Sequence, residues 1–203
     1  MASTPPDGWN RNVHYHDRLL GHVPRPCARA LDVGCGLGVF ARQLARVADS
    51  VDAIDVDAAV IRRARDLSSA APHIRFSAAD FLTWTAEPYD FISMVAVLHH
   101  MSFDAAVVKA ASLLRPGGVL GVVGLDRATS ILHEAARSAI AYPVSAFYLL
   151  TRRKADVGAA FREPTMTLSE IRRKAGELLP GATIQRHIMW RYSLVWVKTD
   201  LIR

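Results

Sequence analysis

One short stretch constrains the fold of this chain more than any other, because it joins a buried strand, a glycine-rich turn and a helix start. It reads Leu31-Asp32-Val33-Gly34-Cys35-Gly36-Leu37-Gly38-Val39-Phe40-Ala41. Glycines at alternate positions let the backbone turn sharply and let a ligand approach without a side chain in the way. The following helix aims its free N–H groups and positive dipole end at the same place. The pattern predicts a βα unit with a ligand site at its turn.

The glycine spacing separates two kinds of nucleotide site. Nicotinamide and flavin sites use G-x-G-x-x-G, in which the third glycine comes three places after the second. In this chain Gly38 comes only two places after Gly36, and the acid Asp32 stands two places before Gly34. A carboxylate repels a pyrophosphate but attracts an ammonium group. A plain βα turn without a ligand is the alternative at this point, because a single glycine motif is a weak signal.

The stretch from Leu31 to Gly38 resembles the first motif of the class I S-adenosylmethionine-dependent methyltransferases. The resemblance implies an α/β fold with a doubly wound, seven-stranded, mostly parallel sheet, helices on both faces and an antiparallel last strand. It also implies the cofactor S-adenosyl-L-methionine, with S-adenosyl-L-homocysteine as product. We expect Gly34, Cys35 and Gly36 to offer backbone contacts to this cofactor. Asp32 is expected to order the loop, or to hold the methionyl ammonium group through water.

Two further acids end the next predicted strands. Asp55 closes a strand over residues 51–55, where a carboxylate can accept hydrogen bonds from both hydroxyls of a ribose. Its neighbour Val56 is also expected to contact the cofactor. Asp80 and Phe81 follow the third strand, and the resemblance implies that they bind the adenine amino group and pack beside its ring. In the alternative interpretation, Asp80 caps the short turn that follows it.

The fourth predicted strand covers residues 89–95 and leads into a segment with two adjacent histidines. The resemblance implies that Met94 and Val95 border the methionyl part of the cofactor. His99 or His100 would then lie beside the transferred methyl group, where an imidazole can accept a proton from a hydroxyl near neutral pH. No acid or cysteine stands at ligand spacing from this pair, so the sequence predicts no metal site.

The motif that family members use on exocyclic amines and amides, [Asp/Asn]-Pro-Pro-[Tyr/Phe], is absent after the fourth strand. Its absence weighs against DNA adenine and similar amide substrates. The following pattern predicts a helix over residues 105–114, ended by Arg115-Pro116-Gly117-Gly118, and a fifth strand over 119–125. The proline and glycine phrase is another structural hallmark of the family.

Before the first strand, we predict an N-terminal arm and lid helix within residues 1–24. The helical part covers residues 17–23 and ends before two prolines. The resemblance implies a lid over the cofactor. Tyr15, with His14 and His16 beside it, is a candidate for lining the methyl-transfer pocket, and packing of the lid against the body is the equal alternative.

Residues 25–203 are predicted to form a single cofactor-binding domain with an acceptor-side insertion at about 127–166. A helix is expected over 131–142, broken by Pro143. The apolar segment after it, with Phe147 and Tyr148, suggests a hydrophobic or aromatic acceptor, and a dimer surface or ordinary packing is the alternative. Thr167 and Glu170 match a capping box, and closing strands are expected over 182–188 and 193–199.

Composition limits the remaining choices. Hydrophobic residues make up 51% and charged residues 22% of the 203 positions, which is typical of a globular domain. Cys27 and Cys35 are expected to be free thiols, and no signal peptide or apolar run of ~18 residues is found. We therefore expect a cytoplasmic protein without a membrane segment. The net charge is +6, but its basic residues are scattered, so a nucleic-acid partner is not favoured.

These observations predict an enzyme that transfers a methyl group from S-adenosylmethionine to a small-molecule acceptor. The predicted target is a hydroxyl of a hydrophobic or aromatic metabolite, and the enzyme would act as a monomer or homodimer. Two alternatives stay open at this point. One is a protein that binds the cofactor without transferring methyl, since a fold alone does not determine chemistry. The other is an RNA methyltransferase, which only the charge favours.

Overall fold

A computed structural model describes residues 10–151 and 162–199 of the chain. Seven strands are present in this part: β1 (Arg29–Val33), β2 (Ser50–Asp55), β3 (Ile74–Ala78), β4 (Tyr89–Val95), β5 (Leu114–Leu125), β6 (Thr183–Arg186) and β7 (Arg191–Val197). They form one sheet in the order β3-β2-β1-β4-β5-β7-β6. Strands β1 to β5 pair in parallel, whereas β7 is antiparallel to both β5 and β6. The predicted fold class is confirmed, including the antiparallel last strand.

Helices cover both faces of this sheet. They are α1 (His16–Leu20), α2 (Val39–Leu44), α3 (Ala58–Asp66), α4 (Phe103–Leu113), α5 (Ile131–Thr151) and α6 (Leu168–Leu178), with short 3₁₀ helices at Val13–Tyr15 and Leu98–His100. Val107 of α4 and Ile171 of α6 belong to one buried cluster. Leu19 of α1, Phe40 of α2 and Ala141 of α5 belong to the other. Burial on both faces explains why the parallel strands are apolar almost throughout.

Two side-chain caps begin helices α3 and α6, and the one at Thr167 confirms the capping box predicted from sequence. The side chain of Asp57 accepts hydrogen bonds from the backbone N–H groups of Ala59 and Val60 at the start of α3. Thr167 and Glu170 form the reciprocal bonds of a capping box at the start of α6. Both caps satisfy N–H groups that have no partner within the helix.

The prediction that Pro143 ends a helix was wrong. Helix α5 continues through this proline from Ile131 to Thr151. A proline inside a helix removes one backbone hydrogen bond, and the remaining bonds hold where tertiary packing supports the flanking turns. Here Ala141 is fully buried against the core and Ser145 is also buried, while Pro143 itself is exposed. Packing therefore outweighs the local signal.

The fifth strand begins earlier than predicted, because the proline and glycine phrase after α4 belongs to β5. This segment obtains its hydrogen bonds from the end of the chain's last strand. The N–H of Gly117 donates to the carbonyl of Lys198 (2.7 Å), and the N–H of Lys198 donates to the carbonyl of Gly118 (2.8 Å). A register shift between Tyr89 and Phe91 accommodates the extra residues. The breaker residues end the helix, as predicted, but continue as strand.

The N-terminal helix also differs from its prediction over residues 17–23. A 3₁₀ turn at Val13–Tyr15 passes directly into α1, which ends at Leu20. In the described part of the chain, no helix is both long and apolar enough to cross a membrane. Cys27 and Cys35 are both free and buried.

Candidate active site

A cavity of about 660 Å³ opens at the carboxyl ends of the parallel strands. Most residues predicted to bind the cofactor or the acceptor line it, namely Asp32, Gly34, Cys35, Gly36, Asp55, Val56, Asp80, Phe81, Val95 and His100. Tyr15, Met94 and His99 do not line it. The cavity therefore brings together side chains from four strand ends and the turn after β1, as expected for a sheet of this type.

The glycine turn has a backbone that other residues rarely adopt. Gly34, Gly36 and Gly38 have φ values of 66°, 52° and 73°. A Cβ at Gly34 would lie 2.3 Å from Cγ2 of Val97, and a Cβ at Gly38 would lie 2.7 Å from the ring of Phe76. All three glycines are therefore favoured by conformation, and Gly34 and Gly38 are also required by close packing against Val97 and Phe76.

Asp55 connects the glycine turn to the end of β2. Its Oδ2 accepts a hydrogen bond from the N–H of Gly36 (3.0 Å), and its Oδ1 accepts one from the N–H of Asp57 (3.0 Å). The N–H of Cys35 donates to the carbonyl of Ile54 (3.0 Å), next to the same carboxylate. The carboxylate is therefore held in a single orientation at the wall of the cavity.

Asp32 is a buried acid with one unused oxygen. Its Oδ1 accepts a hydrogen bond from the hydroxyl of Ser93 (2.8 Å), while Oδ2 has no partner among the described residues. Burial, with a smaller contribution from the nearby Asp55, raises the pKa of this carboxyl to about 7 against the hydrogen bond from Ser93. A buried carboxylate oxygen without a partner is costly, and an ammonium group in the cavity would satisfy it. This feature fits the amino group of a bound S-adenosylmethionine.

Asp80 and Phe81 lie at the end of the cavity formed by β3. Oδ1 of Asp80 accepts a hydrogen bond from the N–H of Leu82 (2.9 Å), which is the turn contact considered as the alternative for this residue. The same carboxylate lines the cavity, and Phe81 beside it is only 3% exposed. A carboxylate has lone pairs for more than one donor, so the turn contact leaves capacity for a ligand.

The two histidines follow β4 on a strained segment. Ala96 has a φ of 54°, which is unusual for a residue with a side chain, and the 3₁₀ helix Leu98–His100 begins two residues later. The rings of His99 and His100 lie 4.2 Å apart between centroids, and His100 faces the cavity. Nη1 of Arg162 donates to the carbonyl of His100 (3.3 Å).

Both imidazoles are neutral at pH 7. Burial is the main cause that lowers the pKa of His99 to about 4, and the charges of His100, Arg191 and Arg162 contribute to the same shift. Burial and the Arg162 charge also lower the pKa of His100, against a smaller opposite effect of Asp55. A neutral imidazole that faces a cavity can accept a proton, which is the property required of a general base.

The N-terminal segment contributes two lining residues, Asn12 and His16. Nδ1 of His16 lies 2.8 Å from Oε1 of Gln43, and burial lowers the pKa of this imidazole to about 4. Asn12 accepts hydrogen bonds at Oδ1 from Nε (3.0 Å) and Nη2 (2.6 Å) of Arg191. The sequence marked His16 as part of an aromatic cluster, but nothing in it marked Asn12, because its partner lies 179 positions away.

Tyr15 packs the N-terminal segment against the body of the protein. Its hydroxyl donates to the carbonyl of Ile188 (2.7 Å), and its ring stacks on His187 with 5.1 Å between centroids. Met94 is fully buried within β4, behind the lining residue Val95. These contacts match the packing alternative for Tyr15.

The predicted insertion at 127–166 reaches the cavity wall at Arg162, whose Nη1 donates a hydrogen bond to the carbonyl of the lining residue His100. Among the residues of this segment whose side chains the structure describes, none lines the cavity itself. The side chain of Phe147 is 62% exposed on α5, and the side chain of Tyr148 lies outside the described part of the chain. A role for this segment in acceptor binding stays a prediction, as does the domain boundary near residue 25.

Comparison with known proteins identifies the family. Residues 30–118 match the family described as a methyltransferase domain. An uncharacterized methyltransferase of Mycobacterium tuberculosis is 35% identical over 192 residues, which cover 93% of this chain and 96% of that protein. This chain is a class I S-adenosylmethionine-dependent methyltransferase. The methyltransferase is also 40% identical over 116 residues to a ubiquinone biosynthesis O-methyltransferase of Xylella fastidiosa, covering 55% of this chain and 47% of that protein.

Solved structures show the same fold as this methyltransferase. The N-methyltransferase NodS from Bradyrhizobium japonicum has a TM-score of 0.61 at 20% identity, covering 92% of this chain and 96% of NodS. A second structure of NodS, in complex with S-adenosyl-L-homocysteine, has a TM-score of 0.63 at 18% identity, covering 93% and 88% of the two chains. At these identities the comparison supports the architecture of the sheet and helices.

Proposed function

We propose that this methyltransferase moves a methyl group from S-adenosylmethionine to a hydroxyl group of a small hydrophobic or aromatic metabolite. The observation that carries the proposal is the position of His100. Its neutral imidazole lines the same cavity as the acids and glycines suited to the cofactor. O-methylation requires removal of the hydroxyl proton, and a neutral imidazole near the methyl donor provides a base for it.

The cofactor residues divide by the chemistry that each can offer. In this proposal Oδ2 of Asp32 accepts a hydrogen bond from the methionyl ammonium group. Asp55 accepts hydrogen bonds from the ribose hydroxyls. Asp80 accepts from the adenine amino group, with Phe81 against the ring. The turn from Gly34 to Gly36 allows the close approach of the ligand to the backbone. Val56 and Val95 provide apolar contacts, and the buried Met94 supports Val95 from within the sheet.

When bound, the cofactor supplies a methyl group that is already activated by its sulfonium. The chain therefore acts mainly by position, holding the acceptor oxygen in line with the methyl carbon and the sulfur. With the cofactor bound, His100 would accept the proton of the acceptor hydroxyl, and the sulfonium would supply the methyl group. His99, which is packed against the ring of His100, restricts the orientation of that ring.

The size and lining of the cavity support a small apolar acceptor. Its volume of about 660 Å³ falls within the usual range of small-molecule sites. Close to His100, the lining is apolar at Val97 and Met101. These residues match a hydrophobic or aromatic metabolite better than a phosphate backbone.

The two basic clusters that the structure describes do not form a single surface for RNA. Arg62 and Arg63 are exposed on α3, whereas Arg172 and Arg173 are exposed on α6, which packs on the opposite face of the sheet. A third cluster, residues 152–154, lies outside the described residues. Arg173 is also paired with Glu177 (2.9 Å) within α6. Nucleic-acid binding through backbone charge needs basic residues along one continuous path.

The test uses S-adenosylmethionine labelled in its methyl group. The protein is incubated separately with total small metabolites from its own cells and with total RNA from the same cells. We expect label in organic-soluble products. Label in RNA would identify an RNA methyltransferase instead, and tight binding of S-adenosylhomocysteine without any labelled product would identify a binding protein.

The role of His100 is tested in the same assay. His100→Ala should lose at least about tenfold in rate, because general-base catalysis typically contributes that much or more. It should keep the affinity for S-adenosylhomocysteine. His22→Ala, a change at an exposed histidine outside this cavity, provides the matched control. Wild-type rates should fall only at a pH below the ordinary histidine pKa of 6.5, since the pKa of His100 is lowered.

A further inference from the structure

The amide of Asn12 has a defined orientation. Its Oδ1 receives two hydrogen bonds from the guanidinium of Arg191, at 3.0 Å and 2.6 Å. A guanidinium can only donate hydrogen bonds, so the atom that faces Arg191 must be the amide oxygen. The amide nitrogen is therefore directed away from Arg191. Within residues 10–151 and 162–199, this nitrogen has no hydrogen-bond partner, although Asn12 lines the cavity.

The backbone beneath Asn12 is fixed as well. Oδ1 of Asn10 accepts hydrogen bonds from the N–H groups of Asn12 (2.8 Å) and Val13 (2.9 Å). Arg191, in turn, donates through Nη1 to the carbonyl of Met189 (3.0 Å). An amide donor held on both sides in this way loses little conformational freedom when a ligand binds to it.

The location of this donor indicates which part of a ligand it meets. Arg191 pairs with Leu125 at the carboxyl end of β5, next to the carboxyl end of β4. This is the methyl-transfer end of the cavity, remote in the sheet order from the Asp80 end at β3. The cavity also holds the unpartnered Oδ2 of Asp32. A buried acceptor and a free donor in one cavity are complementary to the ammonium and carboxylate groups of an α-amino acid.

We propose that Asn12 donates a hydrogen bond from Nδ2 to the carboxylate of the methionyl part of S-adenosylmethionine, and that Arg191 is the residue that positions it. This inference rests on the cofactor placement given under the proposed function. Asp32 then binds the ammonium group of the amino-acid part, and Asn12 binds its carboxylate. Asp55 and Asp80 bind only the adenosyl part.

The test compares two ligands that differ in the amino-acid part alone. S-adenosylhomocysteine carries the carboxylate and the ammonium group, and 5′-methylthioadenosine lacks both. Isothermal titration calorimetry on the full chain measures the affinity for each. Asn12→Leu should weaken S-adenosylhomocysteine binding about tenfold or more, as expected for a hydrogen bond to a charged group, and leave methylthioadenosine binding within about twofold.

Two further variants separate recognition from folding. Arg191→Met should reproduce the selective loss, and adding it to Asn12→Leu should give little further loss, because both changes remove the same contact. Arg11→Met is the matched control from the same segment. Arg11 bonds to Ser145 (3.1 Å) and lies over the ring of Trp190, outside the cavity lining, so both affinities should be retained.

The outcomes are distinguishable. Equal losses for both ligands in Asn12→Leu, or no loss for S-adenosylhomocysteine, would overturn the inference and leave the proposed function standing. If the wild-type protein bound neither ligand, the cofactor placement and the inference would fail together. Thermal denaturation of each variant establishes that a loss of ligand affinity is not caused by loss of the folded state.

Discussion

The N–H of Gly36 donates a hydrogen bond of 3.0 Å to Oδ2 of Asp55, so one carboxylate joins the turn after β1 to the end of β2. The second oxygen of Asp55 receives the N–H of Asp57 at 3.0 Å. Each oxygen keeps a lone pair for another donor. The residue proposed to bind ribose is therefore also the residue that holds the glycine turn in place.

Replacing Asp55 should affect the cofactor more than the fold. Asp55→Ala removes two contacts to the proposed ribose and loosens the turn at Gly36. We expect the affinity for S-adenosylhomocysteine to fall about a hundredfold or more, as measured by calorimetry. Asp66→Asn, at an exposed aspartate at the end of α3, is the control and should bind like the wild type. An unchanged affinity in Asp55→Ala would contradict the proposed role.

A side chain at Gly34 should destabilise the protein. The position has a φ of +66°, and a Cβ there would lie 2.3 Å from Cγ2 of Val97. Gly34→Ala is expected to lower the free energy of unfolding by about 2 kcal/mol or more, from conformational strain plus overlap. Urea denaturation measures this change. The double variant Gly34→Ala/Val97→Ala should recover the part due to overlap.

Gly117 provides the matched control for this substitution. Its φ is +75°, but a Cβ there would meet nothing within 4 Å. Gly117→Ala should therefore cost only the conformational part, about 1 kcal/mol. Equal effects at Gly34 and Gly117 would show that contact with Val97 is unimportant.

Asp32 should make the ligand-free protein less stable as the pH rises. Its pKa is raised from 3.8 to about 7 by burial, so between these values the folded state binds more protons than the unfolded state. Its contribution to stability is complete below pH 4 and is lost as the pH rises through 7, by up to about 4 kcal/mol. Urea denaturation from pH 4 to 8 should show this slope in the wild type and not in Asp32→Asn. If the stability of the two proteins changed equally with pH, the slope could not be assigned to Asp32.

His16 should make the protein less stable as the pH falls, which is opposite to the effect of Asp32. Burial lowers its pKa from 6.5 to about 4, so the unfolded state binds more protons in this range. Its contribution is complete above pH 6.5 and is lost as the pH falls towards 4, by up to about 3 kcal/mol. The stability difference between wild type and His16→Gln should therefore shrink on acidification. A difference that stays constant with pH would show that the buried imidazole does not control acid stability.

Much of the fold could be predicted from sequence, because local signals and packing agree there. The strand at Tyr89–Val95 was predicted with the bounds that the structure has, since its apolar run is long and clearly ended. Asp57 and Thr167 stand directly before helical patterns and cap them. The acids at or near the carboxyl ends of β1, β2 and β3 were expected to meet because the carboxyl ends of parallel strands lie at one edge of the sheet.

The remaining features depend on contacts between distant parts of the chain. Pro143 stays inside α5 because tertiary packing supports the helix around it. Met189 and Trp190 both have φ near 60° in the turn before β7, although neither residue type signals such a turn. The pairing of Asn12 with Arg191 spans 179 positions, so no local pattern could reveal it.

The same pairing has a consequence for biosynthesis. Residues 12, 15 and 18 are hydrogen bonded to Arg191, Ile188 and Gln185, so the earliest described segment is anchored on the β6–β7 hairpin, whose contacting residues are translated at least 167 positions later. A nascent chain still lacking that hairpin lacks these three hydrogen bonds. On the ribosome, the wall that contains Asn12 is therefore completed only after the β6–β7 hairpin has emerged. Cofactor capture at full affinity then has to wait until that hairpin has folded.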